Sequence, residues 1–461
     1  MTAYRYSAIA IDLGTTSVKS GLLDRNGELC NVVSKHAPQI DTKGGHFESD
    51  ALAYAETVEQ VLDDSISQAG DCKTLGMCSQ RSSFLIWEQD TGKPVTPLIS
   101  WQDTRGAASC EALRAHENVI RRLVGLPLTP YYFAPKLRVV LQDNPAWLER
   151  LERGELRAGT LDTFLIWRWT GGRHFITDAS MAARTLLMDV RQQQWSPQLC
   201  DLFGIPERIL PEIKPSAGMN INVGNGLALQ ASVGDQSAAL FASVREDKDE
   251  ALVNLGTGGF VVRFLPDGKD ASNGYLQTLV YQDSDYHAHF AAEGTLNSIA
   301  AALEPYPVHD CMVGELGQDD IFCLAEPSGL GAPFFRGDLG IRFSQLVEHL
   351  PKRRIAALLL EAVIFRVARI LEDFYREYPF DRVYLSGGLS MLACLQQGIA
   401  MCVPFDVFLL RQAESSLQGA ALLAAGTACH SEGAKVRIAG NAKLLQEKYL
   451  RWKVWLDDVL A

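Results

Sequence analysis

Runs of apolar and polar residues predict a strand–turn–strand at the start of the chain. Residues 8–11 are apolar up to Asp12 and predict a buried strand. Residues 18–23 predict a second strand, which ends at an Asp-Arg-Asn-Gly turn closing at Gly27. The turn between the two strands contains Gly14 and three hydroxyl residues. One carboxylate, that of Asp12, is therefore expected at the mouth of this hairpin.

The composition of this turn is suited to binding phosphate. Gly14 lets a ligand approach the backbone closely. The hydroxyls of Thr15, Thr16 and Ser17, with nearby N–H groups, can donate hydrogen bonds to phosphate oxygens. Asp12 can hold a hydrated Mg²⁺. A plain β-hairpin with a polar tip is the alternative that this stretch alone leaves open.

The opening pattern recurs in the second half of the chain. Residues 251–268 again contain a strand, a Gly-Thr turn, a second strand and an Asp-Gly turn. Asn254 takes the place of Asp12, and residues 256–257 take the place of residues 14–15. If this is an internal repeat, the chain has two homologous halves, each starting with a hairpin that faces phosphate.

Apolar spacing predicts further elements and one domain boundary. The predicted elements are a helix at about 49–69, strands at 75–78, 84–87 and 98–105, a mostly helical stretch at 107–160, a core-facing helix at 355–374 and a small-residue helix at 416–426. The charged run 245–250 is expected to be a solvated linker. We place the boundary there, between a domain at 1–244 and a domain at 245–461.

Charge and cysteine content exclude several classes of function. The net charge of −12 argues against a nucleic-acid partner and against an anionic membrane surface, although local cations and backbone amides can still bind phosphate. The ten cysteines are scattered and form no C-x-x-C pair, so we expect neither a zinc site nor a disulfide framework. Residues 4–6 lead directly into the first strand, and we expect a cytoplasmic protein.

Three glycine turns follow predicted strands, at Gly14, at 256–258 and at 387–388. None matches the P-loop spacing or the G-x-G-x-x-G dinucleotide fingerprint. We therefore expect two hairpins that face each other across a cleft and clamp a polyphosphate from both sides.

Together, these turns and several short polar motifs carry a resemblance to a known family. The motifs, in order, are Asp12-Leu-Gly-Thr-Thr-Ser, Ser79-Gln-Arg, Trp101-Gln-Asp-Thr-Arg, Gly234-Asp-Gln, Leu255-Gly-Thr-Gly, Gly329-Leu-Gly-Ala-Pro and Ser386-Gly-Gly. The chain resembles the FGGY family of carbohydrate kinases, and its glycerol kinase branch in particular. The resemblance implies an α/β fold of two actin-like (ribonuclease H-like) sugar-kinase domains with an interdomain cleft.

The resemblance also implies roles for individual residues. Asp235 is expected to be the general base that accepts the proton of the acceptor hydroxyl, with an N-cap role for the helix that follows as the alternative. Asp12 and Asp235 are the expected metal ligands, and the expected cofactors are ATP and Mg²⁺. The expected nucleotide-binding residues are Gly14, Thr15, Thr16, Ser17, Lys19, Gly256, Thr257, Gly258, Gly387 and Gly388. Those expected to bind the acceptor are Arg81, Ser82, Trp101, Tyr131, Asp235, Gln236 and Phe260.

One position departs from the glycerol kinase pattern. Glycerol kinases carry Gln-Arg-Glu where this chain has Gln80-Arg81-Ser82. Replacing a charged acceptor with a short hydroxyl removes a hydrogen bond of about 1.5–3 kcal/mol and leaves room. We therefore expect an acceptor larger than glycerol, or weak glycerol binding.

The sequence thus predicts a kinase that phosphorylates a primary hydroxyl of a small polyol or sugar. A pentulose kinase is one alternative, although its pocket loop usually contains Gln-Met-His. A nucleotide-dependent binding or regulatory protein on the same fold is the other. No nucleic-acid or membrane partner is expected, and the resemblance leaves open a homodimer.

Overall fold

The computed structural model describes residues 6–246, 250–272, 274–410, 414–428 and 433–461. The chain forms two compact units. The first unit comprises residues 1–242, 278–290 and 414–429, and the second comprises residues 243–277, 291–413 and 430–461.

Fifteen strands and nine helices lie in the described chain before residue 247. The strands are β1 (Tyr6–Leu13), β2 (Ser17–Asp24), β3 (Leu29–His36), β4 (Asp41–Lys43), β5 (His46–Ser49), β6 (Thr74–Ser79), β7 (Phe84–Glu88), β8 (Leu98–Ile99), β9 (Leu156–Thr160), β10 (Ile176–Asp178), β11 (Met188–Asp189), β12 (Gln194–Trp195), β13 (Glu212–Lys214), β14 (Ala217–Asn222) and β15 (Ala228–Gly234). The helices are α1 (Ala51–Gln68), α2 (Ala107–Ala112), α3 (Glu117–Val124), α4 (Phe133–Asp143), α5 (Pro145–Glu152), α6 (Leu161–Trp169), α7 (Ala179–Ala182), α8 (Pro197–Phe203) and α9 (Asp235–Ser243).

Nine strands and five helices follow in the described residues from 250 onwards. The strands are β16 (Glu250–Leu255), β17 (Gly259–Phe264), β18 (Leu276–Gln282), β19 (Ala288–Leu296), β20 (Cys323–Leu324), β21 (Arg342–Phe343), β22 (Arg382–Ser386), β23 (Asp406–Leu410) and β24 (Gly433–Lys435). The helices are α10 (Ile299–Leu303), α11 (Lys352–Glu377), α12 (Ala393–Cys402), α13 (Ser415–Ala425) and α14 (Lys443–Leu460).

The main sheet of the first unit has six strands in the order β14-β15-β6-β1-β2-β3. Strand β1 is antiparallel to β2 and parallel to β6, and β6 is parallel to β15. Helix α1 begins as predicted after Asp50, whose carboxylate accepts the N–H groups of Leu52 and Ala53 at 2.9 and 3.0 Å. Its apolar face contributes Tyr54 and Val58 to one core with strand β1. The predicted opening hairpin and first helix are therefore confirmed.

The first unit also contains a five-stranded sheet with the order β4-β5-β8-β7-β9. Two predictions were wrong in this region. The strand predicted at 98–105 ends at Ile99, and a turn follows in which the N–H of Asp103 donates to the carbonyl of Ser100 at 3.1 Å, while the Asp103 carboxylate accepts the Phe47 N–H at 2.8 Å. The stretch predicted as helix up to residue 160 ends in strand β9, which pairs with β7. In that strand the apolar residues alternate, and such alternation favours a strand.

The main sheet of the second unit repeats the pattern of the first. Its strand order is β18-β19-β17-β16-β22-β23-β24. From β19 to β24 the successive pairings are antiparallel, antiparallel, parallel, parallel and antiparallel. The same succession runs from β3 to β14 in the first unit. The internal repeat expected from the two Gly-Thr hairpins is therefore confirmed by the topology.

The predicted small-residue helix, α13, packs closely on the main sheet of the first unit. A Cβ atom added to Gly76 of strand β6 would lie 2.1 Å from the carbonyl oxygen of Ala420. A Cβ atom added to Gly419 would lie 1.9 Å from the carbonyl oxygen of Ala238 in α9. The small residues thus allow backbone to approach backbone. Separately, among the helices of the described chain, none is both long and apolar enough to cross a bilayer.

Candidate active site

Three parallel strands of the first unit end at the same level. The pairing registers place Leu13 of β1 beside Ser79 of β6, and Ser79 beside Gly234 of β15. The residues at and just beyond these ends include Asp12, the loop at 80–83 and Asp235. Functional groups of α/β proteins collect at this carboxyl edge, because the loops that leave neighbouring strands meet there. The fold therefore brings together residues that lie more than 200 positions apart.

Asp12 has the surroundings of a cation ligand. Its Oδ1 atom is buried and has no hydrogen-bond partner among the described residues. Burial first, and then the negative charge of Asp235, raise the pKa of Asp12 to about 7. A buried carboxylate oxygen without a donor is unfavourable unless a cation neutralises it, so the site fits Mg²⁺. No cluster of three or more metal-binding side chains occurs in the described residues, so an ion here would retain water or phosphate ligands.

Asp235 is the first residue of α9 and faces an arginine. Its Oδ1 atom accepts the N–H of Gln236 at 2.8 Å and lies 3.6 Å from Nε of Arg81. The side chain is 32% exposed. Burial raises the pKa of Asp235, while the Arg81 charge and the Gln236 N–H oppose that rise. A carboxylate of raised basicity that remains open to solvent has the properties of a general base.

Arg81 packs against Gly234, the residue before Asp235. A Cβ atom added to Gly234 would lie 2.9 Å from Cδ of Arg81. The N–H of Gly234 donates to the hydroxyl of Ser180 at 2.8 Å, and the Arg81 guanidinium donates to Oε1 of Gln236. These contacts hold Arg81, Asp235 and Gln236 in one group, and their predicted role in binding the acceptor remains a prediction.

Ser82 has a different environment from the one assumed in the sequence analysis. It is buried and has a φ of 64°, and its hydroxyl donates to the carbonyl oxygen of Arg184 at 3.0 Å. Its own carbonyl accepts from Nζ of Lys136 at 2.8 Å, and the same ammonium donates to Ser100 at 2.7 Å. Burial lowers the pKa of Lys136 to about 7. In this conformation the Ser82 hydroxyl holds the backbone, and an acceptor contact by that hydroxyl remains a prediction.

Trp101 and Tyr131 present aromatic surface to solvent. They are 40% and 47% exposed. The indole Nε1 of Trp101 donates to the hydroxyl of Thr15 at 2.9 Å, so this ring is tied to the glycine turn of the opening hairpin. An exposed ring that is held in place can stack on the carbon face of a polyol.

The residues of the opening turn are arranged around Gly14. A Cβ atom added to Gly14 would lie 2.6 Å from the carbonyl oxygen of Ser17, so the turn requires glycine. Thr16 is exposed, and Ser17 is half-buried. Lys19 differs from the expectation, because its ammonium forms an ion pair with Glu414 at 2.6 Å. The Glu414 carboxylate therefore competes with a phosphate group for the Lys19 ammonium.

The second unit gathers the remaining predicted residues by itself. Strands β16 and β22 are parallel, and Asn254 lies beside Ser386 at their ends. The turn at 256–258 is closed by a hydrogen bond of 2.8 Å from N–H of the first glycine to the carbonyl of the last. Gly387 has a φ of 86°, and a Cβ atom on it would lie 2.8 Å from Oδ1 of Asn254. Gly388 follows at the surface, so both glycine turns lie at one edge of this sheet.

Phe260 also belongs to the second unit. It is half-buried on strand β17 and pairs with Asn254 on one side and Thr295 on the other. Its position next to the glycine turn is clear from the register. Its predicted contact with the acceptor remains a prediction.

Several buried polar residues that hold these loops were missed in the sequence analysis. Arg366 of α11 forms an ion pair with Glu326 at 2.7 Å, and both side chains are 1% exposed. The other oxygen of Glu326 accepts the N–H groups of Asn297 and Gly331 at 2.9 and 2.8 Å. A charged residue inside an otherwise apolar helix was the available signal, because such a charge must find a partner.

A repeated strand–turn–strand and two carboxylates at one sheet edge, one of them with a buried oxygen that lacks a hydrogen-bond partner among the described residues, are typical of a phosphotransferase of the two-domain sugar-kinase class. Comparison with known families agrees. The N-terminal domain of the FGGY family of carbohydrate kinases matches residues 7–248, and the C-terminal domain of that family matches residues 263–428. The chain belongs to the FGGY family of carbohydrate kinases and is therefore a phosphotransferase.

The chain matches several glycerol kinases over most of their length. The chain is 32% identical to glycerol kinase 2 of Streptomyces coelicolor over 447 residues, which cover 90% of this chain and 87% of the relative. It is 32% identical to glycerol kinase 1 of Streptomyces avermitilis over 486 residues, covering 98% and 93%.

Solved structures confirm the fold. A crystal structure of Plasmodium falciparum glycerol kinase with ADP superposes with a TM-score of 0.84 at 22% identity, covering 98% of each chain. A ligand-bound xylulose kinase from Lactobacillus acidophilus gives a TM-score of 0.78 at 18% identity, again covering 98% of each. The predicted two-domain sugar-kinase fold is confirmed.

Proposed function

We propose that this enzyme transfers the γ-phosphoryl group of ATP to a primary hydroxyl of a small polyol, either glycerol or a larger relative of it. The observation that carries the proposal is that a candidate base and a candidate cation ligand lie at one edge of the same sheet. Asp235 is open to solvent beside Arg81, and Asp12 lies within electrostatic reach with an unsatisfied buried oxygen. Phosphoryl transfer to an alcohol needs a base at the acceptor and charge neutralisation at the phosphates.

Asp235 accepts the proton of the acceptor hydroxyl. Its raised pKa makes it a better base than an ordinary aspartate, and the Arg81 charge favours the ionised form of the carboxylate. Because the carboxylate is held by the Gln236 N–H at the start of α9, its position does not depend on a flexible loop. The base is thus placed before the acceptor arrives.

Asp12 holds the magnesium ion that accompanies ATP. The ion, when bound, neutralises charge that develops on the phosphate oxygens. Thr15, Thr16 and the backbone of the turn at Gly14 donate to the phosphates. Asp12 itself contributes the negative charge that attracts the cation.

Arg81, Gln236 and the two exposed aromatic rings bind the acceptor. Trp101 and Tyr131 offer apolar surface to carbon atoms, while the guanidinium and amide bind hydroxyl groups. The 32% identity to glycerol kinases supports a polyol acceptor. The likeness to xylulose kinases, at 18% identity, supports only the shared fold, so a pentulose acceptor is the weaker alternative.

A panel of acceptors tests this proposal. The release of ADP is followed with Mg²⁺ and ATP in the presence of glycerol, erythritol, ribitol, dihydroxyacetone or xylulose. We expect stimulation by glycerol or by one of the larger polyols, with one phosphate transferred per ADP released. A low rate of ADP release that no acceptor changes would contradict the proposal and favour a nucleotide-dependent binding protein.

A further inference from the structure

One buried amide contacts both the turn assigned to phosphate and the loop assigned to the acceptor. Gln80, only 4% exposed, follows strand β6. Its Oε1 atom accepts hydrogen bonds from the hydroxyls of Ser83 at 2.8 Å and Thr15 at 3.3 Å. Its Nε2 atom donates to the carbonyl of Gly14 at 3.2 Å and to the hydroxyl of Tyr54 at 3.4 Å. Both lone pairs and both protons of the amide are therefore used.

Trp101 closes this network into a ring. Its indole N–H donates to the Thr15 hydroxyl, and its backbone N–H donates to the Ser83 hydroxyl, each at 2.9 Å. Each of these hydroxyls has one proton, which it gives to Gln80, and so each accepts from Trp101. The direction of every bond is fixed. A rotated amide would place its carbonyl oxygen against the Gly14 carbonyl, where two acceptors would repel.

This hydrogen-bond network connects the group assigned to phosphate binding with the ring assigned to acceptor binding. The Thr15 hydroxyl has one proton, so a donation from Thr15 to a phosphate oxygen must break its bond to Gln80. The same hydroxyl oxygen accepts from the Trp101 indole, so a movement of the Thr15 side chain towards phosphate also moves the partner of that indole. The orientation of the aromatic ring is thus linked to the state of the phosphate turn.

We propose that Gln80 is a positioning residue that couples the phosphate turn at Gly14 and Thr15 to the acceptor-binding ring of Trp101, so that nucleotide and acceptor change each other's affinity. The inference rests on the proposed function, since it assumes that these two groups bind phosphate and acceptor. Coupling between two ligands is reciprocal and is typically about fivefold or more.

Binding without turnover measures this coupling. The dissociation constant of glycerol is measured by calorimetry with the full chain, in the presence and absence of saturating ADP and Mg²⁺. The dissociation constant of ADP is measured in the same way, in the presence and absence of glycerol. We expect the wild-type protein to show about a fivefold or larger effect in both directions. We expect Gln80→Met to bring the ratio close to one.

Gln418→Met is the matched control. Gln418 is also a buried amide of the first unit, and its Nε2 donates to the carbonyl of Gly27 at 2.8 Å. Gly27 lies in the turn at the other end of strand β2 from the phosphate turn. The control removes a buried amide bond and lowers the melting temperature, yet we expect it to leave the coupling unchanged. Equal coupling in Gln80→Met and the control would overturn the inference.

Trp101→Phe gives a second, independent readout. It keeps an aromatic ring but removes the indole N–H that donates to Thr15. Because Trp101 is partly exposed, this variant is expected to fold even if Gln80→Met does not. We expect the same loss of coupling, and no further loss in the double variant. If Trp101→Phe kept the same coupling as the wild-type protein, the inference would be overturned. If the wild-type protein phosphorylated no acceptor, the proposed function would be overturned instead.

Discussion

Removing the positive charge of Arg81 is expected to shift the pH dependence of the reaction. Arg81 opposes the rise in the pKa of Asp235 that burial causes. Arg81→Met therefore raises that pKa further, and a smaller fraction of the base is ionised at a given acidic pH. The acid limb of the kcat/KM profile, which reports the base of the free enzyme, should move to higher pH.

The size of the shift follows from the distance between the two groups. Nε of Arg81 lies 3.6 Å from Oδ1 of Asp235. Two unit charges at that separation attract with about 1.2 kcal/mol in water and about 4.6 kcal/mol at an effective dielectric constant of 20. The side chains are 14% and 32% exposed, so solvent screens the pair only in part and the attraction lies between these two values. Since about 1.4 kcal/mol corresponds to one pH unit, we expect a shift of about one unit or more.

A continuous assay of ADP release between pH 5 and pH 9 measures the effect. Arg81→Lys is the matched control, because it keeps the charge but loses the guanidinium. Its plateau rate should fall through lost contacts to the acceptor, while its acid limb stays within a few tenths of a unit of the wild type. If Arg81→Met lowered the rate equally at every pH, with the acid limb unmoved, the electrostatic role of Arg81 would be refuted.

Three further predictions concern stability and metal binding. Gly419→Ala should cost about 1–3 kcal/mol in urea unfolding, because the new methyl meets a backbone carbonyl of α9 at 1.9 Å. Gly314→Ala, where a Cβ meets nothing within 4 Å, should cost less than about 0.5 kcal/mol, and equal losses would contradict the packing argument. Glu326→Gln should cost about 3–5 kcal/mol, since it leaves the buried charge of Arg366 unpaired, and a loss below about 1 kcal/mol would refute this. Because a proton and Mg²⁺ compete for Asp12, whose pKa is about 7, the affinity for Mg²⁺ and ADP should fall more steeply below pH 7 in the wild type than in Asp12→Asn. Identical pH dependences in calorimetry would contradict a metal contact at Asp12.

The parts of the fold that local patterns determine were predictable. The two Gly-Thr hairpins and helices α1, α11 and α13 follow from apolar periodicity and glycine placement. The strand predicted at 98–105 was too long, since the side chain of Asp103 contacts a backbone group from a distant position instead of continuing the strand pattern. The Asp103 carboxylate bonds the N–H of Phe47, and no local pattern reveals that contact.

In the candidate site, too, some residues were predictable from the sequence and others were not. Asp12 could be proposed from the pattern of the opening hairpin, and Asp235 from the resemblance of residues 234–236 to the catalytic motif of the family. The role of Gln80 could not, since its partners Thr15 and Tyr54 come from other elements. The orientation of the Ser82 hydroxyl was also out of reach, because it depends on a left-handed backbone conformation at a non-glycine residue.

The most direct test of the account is the turnover of Asp235→Asn. The substitution keeps the size of the side chain but removes its ability to accept a proton, so kcat for the best acceptor should fall by about 10²–10⁴-fold. The affinity for ADP with Mg²⁺, measured on the same sample, should stay near the wild-type value. A variant that binds ADP normally and retains kcat within a factor of a few would contradict the assignment of Asp235 as the general base.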